Sequence, residues 1–131
     1  MIRLTTSQFE SICIQAKKEV PYEACGYLAG IDGAVKAVYP MVNVDHSEDH
    51  FSLDPKEQFA VIKQARQAGL DILAVYHSHP ASPARPSKED IRLAYDPNVV
   101  YVIVSLLGDL PDLKAFRIID GVVSGVDVKI R

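Results

Sequence analysis

The chain has 131 residues, 48% hydrophobic and 24% charged, with a net charge of −3. That is one domain's length, enough for a single core and ordinary for a globular protein. The acidic balance (pI near 5.7) and the absence of any Lys/Arg run exclude nucleic acid as a default partner.

In chain order, Met1 to Thr6 turns polar at once and lacks the apolar stretch of a signal peptide. Phe9, Ile12, Cys13, Ala16 and Val20 recur at helical spacing, which predicts a helix from about Ser7 to Glu19 started by Thr5 or Thr6. Ala24–Gly30 and Ala34–Tyr39 read as a strand pair joined through Asp32-Gly33, a hairpin signal. Met41 to Ser52 is polar and irregular. Asp54-Pro55-Lys56-Glu57 starts a second helix, with Asp54 at N-cap and Pro55 at N1. This helix is expected to bury Phe59, Ile62 and either Ala65 or the stem of Arg66, and to end at Gly69. Ile72 to His77 is a nearly continuous apolar run, hence a central strand covered on both faces. A third helix is expected from about Lys88 to Tyr95, stopped by Asp96-Pro97. Strands over Val99–Leu107, Leu113–Ile119 and Val122–Ile130 complete a mixed, curved sheet flanked by helices. No apolar run is long enough for a spanning helix, so no membrane is expected, and no linker or repeat divides residues 1–131. Cys13 and Cys25 have no metal-binding or redox spacing and read as buried packing residues of a cytoplasmic protein.

Chemistry concentrates in His77-Ser78-His79-Pro80, followed by Ser87 and Asp90. Histidines at i and i+2 on a strand share a face, and Pro80 ends the strand because it cannot donate to a ladder. A short Pro-stiffened loop leads to Ser87-x-x-Asp90, which brings a hydroxyl and a carboxylate. Three protein ligands with an open fourth position is the arrangement of catalytic zinc. Either half alone has a plainer reading. Two histidines at a strand end also read as surface or hydrogen-bonded core residues, and Ser87-x-x-Asp90 is also an acidic capping box, a role compatible with metal binding. A competing pair, His46 and His50 among Asp45, Glu48 and Asp49, could bind a divalent ion if helical, but its polarity favours a solvated loop.

With Glu23 upstream, these residues resemble the JAMM (MPN-plus, Mov34/MPN/PAD-1) zinc metallopeptidase family, whose pattern is Glu, then His-Ser-His-Pro, a spacer and Ser-x-x-Asp. Pro21-Tyr22-Glu23-Ala24-Cys25-Gly26, Tyr76-His77-Ser78-His79 and Phe116 to Gly121 resemble the bacterial subgroup typified by the CysO–cysteine peptidase. The resemblance implies one α/β domain of the MPN type over residues 1–131, with a cytidine-deaminase-like architecture. It implies one Zn2+ per chain held by His77, His79 and Asp90, with Glu23 as general base and Ser87 as oxyanion donor. The implied activity is hydrolysis after the C-terminal Gly-Gly of a ubiquitin-like sulfur-carrier protein, releasing cysteine or a short extension. The chain has no room for the long insertions with which deubiquitinating relatives hold a second ubiquitin, which favours a small leaving group. Removal of a ubiquitin-like modifier from lysine is the enzyme alternative. A non-catalytic MPN scaffold is disfavoured because all five positions are retained. The sequence leaves monomer or homodimer, the native metal and the partners of the histidine ligands open. Cys25, though near Glu23, has no paired histidine and reads as packing rather than nucleophile.

Overall fold

A computed structural model describes residues 1–131. Eight strands and three helices form it: β1 (Ile2–Leu4), α1 (Thr6–Glu19), β2 (Cys25–Ile31), β3 (Ala34–Met41), α2 (Pro55–Gln67), β4 (Asp71–His79), α3 (Lys88–Arg92), β5 (Val100–Ser105), β6 (Asp112–Ile119), β7 (Val122–Val126) and β8 (Val128–Ile130). All strands join one mixed sheet in the order β7-β6-β5-β4-β2-β3-β1-β8. β4 pairs antiparallel with β2 and parallel with β5, so it is central, as its apolar run requires. The two edge strands β7 and β8 are consecutive in the chain with only Asp127 between them, so the sheet curls until its edges meet.

It curls around α1. Ile12, Cys13 and Ala16 of that helix pack with Ile2, Leu4, Leu28, Val35, Tyr76, Val102, Val104 and Ala115, drawn from six strands, and Val126 and Val128 lean on the same cluster. Thr5 caps α1 in a reciprocal box with Gln8. α2 covers the opposite face, where Val61 packs with Cys25, Tyr27, Met41 and Val75. Asp54 caps α2 and Pro55 stands at its first turn, as expected. Asp32 and Gly33, and likewise Asp120 and Gly121, all have positive φ, the backbone of tight two-residue hairpins. No helix is long and apolar enough to cross a membrane.

Several elements differ from expectation. Phe59 is 71% exposed, whereas Val61 and Ala65 are buried. At 3.6 residues per turn, Phe59 lies about 200° around α2 from Val61, so the apolar stripe that meets the sheet excludes it. β1 is too short to show a period, and it forms because β3 and β8 hydrogen-bond it from both sides. The last expected strand breaks at Asp127 into β7 and β8. α3 ends at Arg92 rather than Tyr95, and Tyr95 is exposed. β4, by contrast, runs through both histidines and stops just before Pro80, as expected.

Candidate metal centre and groove

His77 and His79 end β4 on the α2 face, both buried. Their Nε2 atoms are 3.2 Å apart, and Asp90 Oδ2 lies 3.2 Å from the first and 3.0 Å from the second. Three ligand atoms at 2.0–2.1 Å from a tetrahedral zinc stand about 3.3 Å from one another, so this triangle has the edge length of one face of such a site. The donor set fits a cation on a second ground. His79 Nδ1 faces the Pro83 carbonyl at 2.8 Å, which engages its proton and leaves Nε2 as a lone pair in the neutral ring. Two imidazole nitrogens and a carboxylate oxygen therefore converge where only a proton or a metal ion can satisfy all three. The Pro83 contact is the orienting partner that metal-bound histidines ordinarily need. His77 Nδ1 is buried without a partner, and its ring is held by stacking on Phe51, with centroids 4.9 Å apart.

Asp90 is aimed by the start of α3. Asp90 N–H donates to Ser87 Oγ (3.0 Å) and Ser87 N–H donates to Asp90 Oδ2 (2.9 Å), so the capping box is present and fixes the same oxygen that faces the histidines. Because Ser87 Oγ accepts there, its own proton is free to donate outward. Burial works against ionised Asp90, but hydrogen bonds and charge from His77 and His79 outweigh it and hold the carboxyl well below the usual range. Burial likewise opposes a charged His79. The Asp90 hydrogen bond, the Pro83 carbonyl and the nearby carboxylates outweigh that and raise its pKa.

Glu23 comes from the other side. The β2–β4 register places Cys25 opposite His77. Continued two residues back, it puts Glu23 beside His79. One Glu23 carboxylate oxygen lies within 4.8 Å of a ring nitrogen of each histidine, further away than the Asp90 oxygen. Glu23 is 2% exposed and its Oε1 has no hydrogen-bond partner. Burial, the main cause, raises its pKa to about 8, with His79 opposing and Asp90 adding. Gly26 makes the adjacent packing possible, since a Cβ there would sit 2.5 Å from the Tyr76 ring.

All five residues expected at the site therefore converge. The His46–His50 pair does not. His46 is exposed with φ 43°, and His50 is occupied by Asp45 (3.2 Å) and Asp49 (2.9 Å) in a loop that is not helical. Cys13 and Cys25 are free and buried, and burial pushes the Cys25 thiol up to about 12, far from a nucleophile.

Four participants were not anticipated. Phe51 stacks on His77, the Pro83 carbonyl orients His79, Ser78 Oγ accepts from Ala24 N–H (2.8 Å), and Asn43 Nδ2 donates to the Glu23 carbonyl (3.1 Å). Only Ser78 had a sequence signal, its place between the two histidines. A groove starts at His77 and Asp90 with a volume of about 370 Å3 and continues past Phe51, Leu93 and Tyr101 into a second lobe of about 460 Å3 over Ile62, Ile72 and Val99.

A buried histidine pair, an aspartate at a helix start and a buried glutamate meet at one end of a curled mixed sheet, and Glu23, His77 and His79 are close enough together to hold a metal ion. Residues 5–119 match the family of prokaryotic homologs of the JAB domain, and the chain belongs to that family. A CysO-cysteine peptidase of Mycobacterium tuberculosis is 36% identical over 118 residues, covering 88% of this chain and 81% of that protein. A desampylase of Haloferax volcanii is 39% identical over 93 residues, covering 69% of this chain and 67% of that protein. A solution structure of a Desulfitobacterium hafniense protein superposes with a TM-score of 0.92 at 44% identity, over 100% of this chain and 93% of that one.

Proposed function

We propose that this chain is a zinc-dependent peptidase that hydrolyses the amide bond after the C-terminal Gly-Gly of a ubiquitin-like sulfur-carrier protein, releasing cysteine or a short extension. The observation that carries the reading is the 3.0–3.2 Å triangle of His77, His79 and Asp90 atoms with the buried Glu23 carboxyl beside it. His77, His79 and Asp90 would hold one zinc ion. When bound, zinc supplies Lewis acidity, which lowers the pKa of a water from about 15.7 toward ~7.

The remaining steps belong to the protein. Glu23 accepts the proton of the attacking water and returns it to the departing amine, a role suited to a buried carboxyl whose proton affinity lies near neutrality. Ser87 donates its free O–H to the oxygen that gains charge as the carbonyl is attacked. Asp90 and the Pro83 carbonyl keep His79 oriented through the cycle. The groove from His77 back to Ile72 follows five residues of β4, roughly 17 Å. That length suits an extended tail of about five residues, with its scissile bond at the metal end. The buried, unpaired thiols support a reducing compartment, the cytoplasm.

The similarity to a CysO-cysteine peptidase supports cysteine as leaving group, whereas the similarity to a desampylase supports a second reading, cleavage of a modifier from lysine. Zinc-loaded enzyme incubated with a carrier ending in Gly-Gly-Cys and with a lysine-linked conjugate, followed by mass spectrometry, tests both. Release of cysteine is expected. Cleavage of the conjugate alone replaces the first reading by the second, and cleavage of neither, with zinc bound, removes both.

A further inference from the structure

A general base must be aimed, yet the Glu23 carboxyl has a buried oxygen with no partner, so its direction is set by its backbone. Three contacts hold that backbone. Glu23 N–H donates to the Ser47 carbonyl (2.8 Å), Ala24 exchanges hydrogen bonds with Ser78 (2.8 and 2.9 Å), and Asn43 Nδ2 donates to the Glu23 carbonyl (3.1 Å).

Asn43 differs from the other two because it is a junction. Its Nδ2 also donates to the His50 carbonyl (3.1 Å), while its Oδ1 accepts from Asp45 N–H and Ser52 N–H, both at 3.2 Å. The side chain belongs to a buried residue, and both amide hydrogens and both carbonyl lone pairs are used. The backbone of Asn43 bridges Leu53 as well, which closes the loop between them. That loop carries Phe51, stacked on His77, and His50, at the mouth of the groove. One side chain thus ties the peptide after Glu23 to the wall that faces the metal ligands.

We infer that Asn43 is a positioning residue: by clamping the Glu23 carbonyl to the 43–53 loop it fixes the carboxylate of the general base over the reaction centre. The assignment rests on Glu23 being that base. With its carbonyl end released, the Glu23–Ala24 peptide is held only at its N–H, by Ser78 Oγ, and tilts about that contact, which swings the carboxyl on its long side chain; a displacement of about 1 Å is enough to cost about 100-fold in rate. The metal ligands stand on β4 and α3 and none is bonded to Asn43; their one link to the loop is the Phe51 ring stacked on His77, so their grip on the ion should change little.

Asn43→Asp tests this directly. It keeps an acceptor for Asp45 and Ser52 but replaces the donor with an oxygen that faces two carbonyls. Turnover is measured on whichever of the two substrates above is cleaved, and zinc affinity by competition with a chromophoric chelator. The expected result is a kcat lowered about 10- to 100-fold, with KM and the zinc Kd within about threefold of wild type. A kcat within threefold of wild type overturns the inference, as does a tenfold or larger loss in zinc affinity or KM. Asn43→Ser, which removes the amide donors without adding charge, is read by the same limits if the aspartate variant does not fold. Glu23→Gln separates the two failures. Wild-type turnover in that variant removes the base itself, whereas an inactive Glu23→Gln beside fully active Asn43 variants removes only the clamp.

Discussion

Replacing Glu23 by glutamine separates the stability cost of a buried carboxyl from its chemical use. Burial raises Glu23 from its ordinary 4.5 to about 8. Between those values the folded protein keeps a proton that the unfolded chain has released. Stability therefore falls as pH rises through this window and levels off above about 8. At 1.36 kcal/mol per pH unit the whole interval corresponds to about 5 kcal/mol in chelator-stripped protein, where no dication favours the carboxylate. Glutamine has nothing to ionise, so this component of the pH dependence disappears. The two proteins should differ least near pH 5, and Glu23→Gln should be the more stable by up to about 5 kcal/mol at pH 9. Urea unfolding followed by circular dichroism at pH 5, 7 and 9, with linear extrapolation, gives both curves. In the zinc-loaded protein the same variant should keep its metal and lose about 10²–10⁴ in kcat, the usual worth of a positioned proton acceptor. Parallel pH–stability curves for wild type and variant would refute the claim that Glu23 folds as a desolvated, unpaired acid.

The other expectations use different handles. His77→Ala and Asp90→Ala each remove one corner of the donor triangle, and both should abolish zinc retention measured by inductively coupled plasma mass spectrometry together with turnover; stoichiometric zinc in either would exclude that residue as a ligand. Ser87→Ala should lower kcat about 10²–10³ through the lost oxyanion donor and destabilise α3 by about 1 kcal/mol through the lost cap. Turnover unchanged while stability falls would reduce Ser87 to its capping role. Phe59→Ser, on the exposed side of α2, should shift stability by less than about 0.5 kcal/mol, whereas Ile12→Ala in the cluster around α1 should cost about 2–5 kcal/mol. Comparable losses in the two variants would contradict the side of α2 that faces the sheet.

The parts of the fold that local chemistry controls were legible in the chain. Thr5, one of the two threonines read as the start of α1, and Asp54 with Pro55 at α2 cap their helices because caps act within one turn, whereas Gln8, which completes the box with Thr5, was not read from the chain. Asp32-Gly33 and Asp120-Gly121 turn where left-handed backbone is needed. Residues whose state depends on distant neighbours were misread. Phe59 has the composition of a core residue, but which stripe of α2 meets the sheet is decided by how Tyr27, Met41 and Val75 present themselves to it. The strand expected over Val122–Ile130 carries only a weak break signal, the strand-disfavouring Asp127 after Ser124-Gly125. It divides because the curled sheet brings both of its edges to that residue.

For the site, the amino-acid order alone determined the set of chemical groups: His77 and His79 on one face of a strand, and Ser87 with Asp90 at a helix start, each placed by a short-range rule of backbone geometry. Glu23 was selected by its resemblance to a pattern, since one carboxyl 54 residues before His77 carries no local signature. Tertiary structure alone decided that its carboxyl is buried beside the donor triangle, that Pro83 orients His79, and that Asn43 ties Glu23 to the loop bearing Phe51. Those contacts join segments far apart in the chain through backbone carbonyls and ring faces. Every residue type supplies a carbonyl, so a partner of this kind is identified by its position in space and leaves no mark in the sequence.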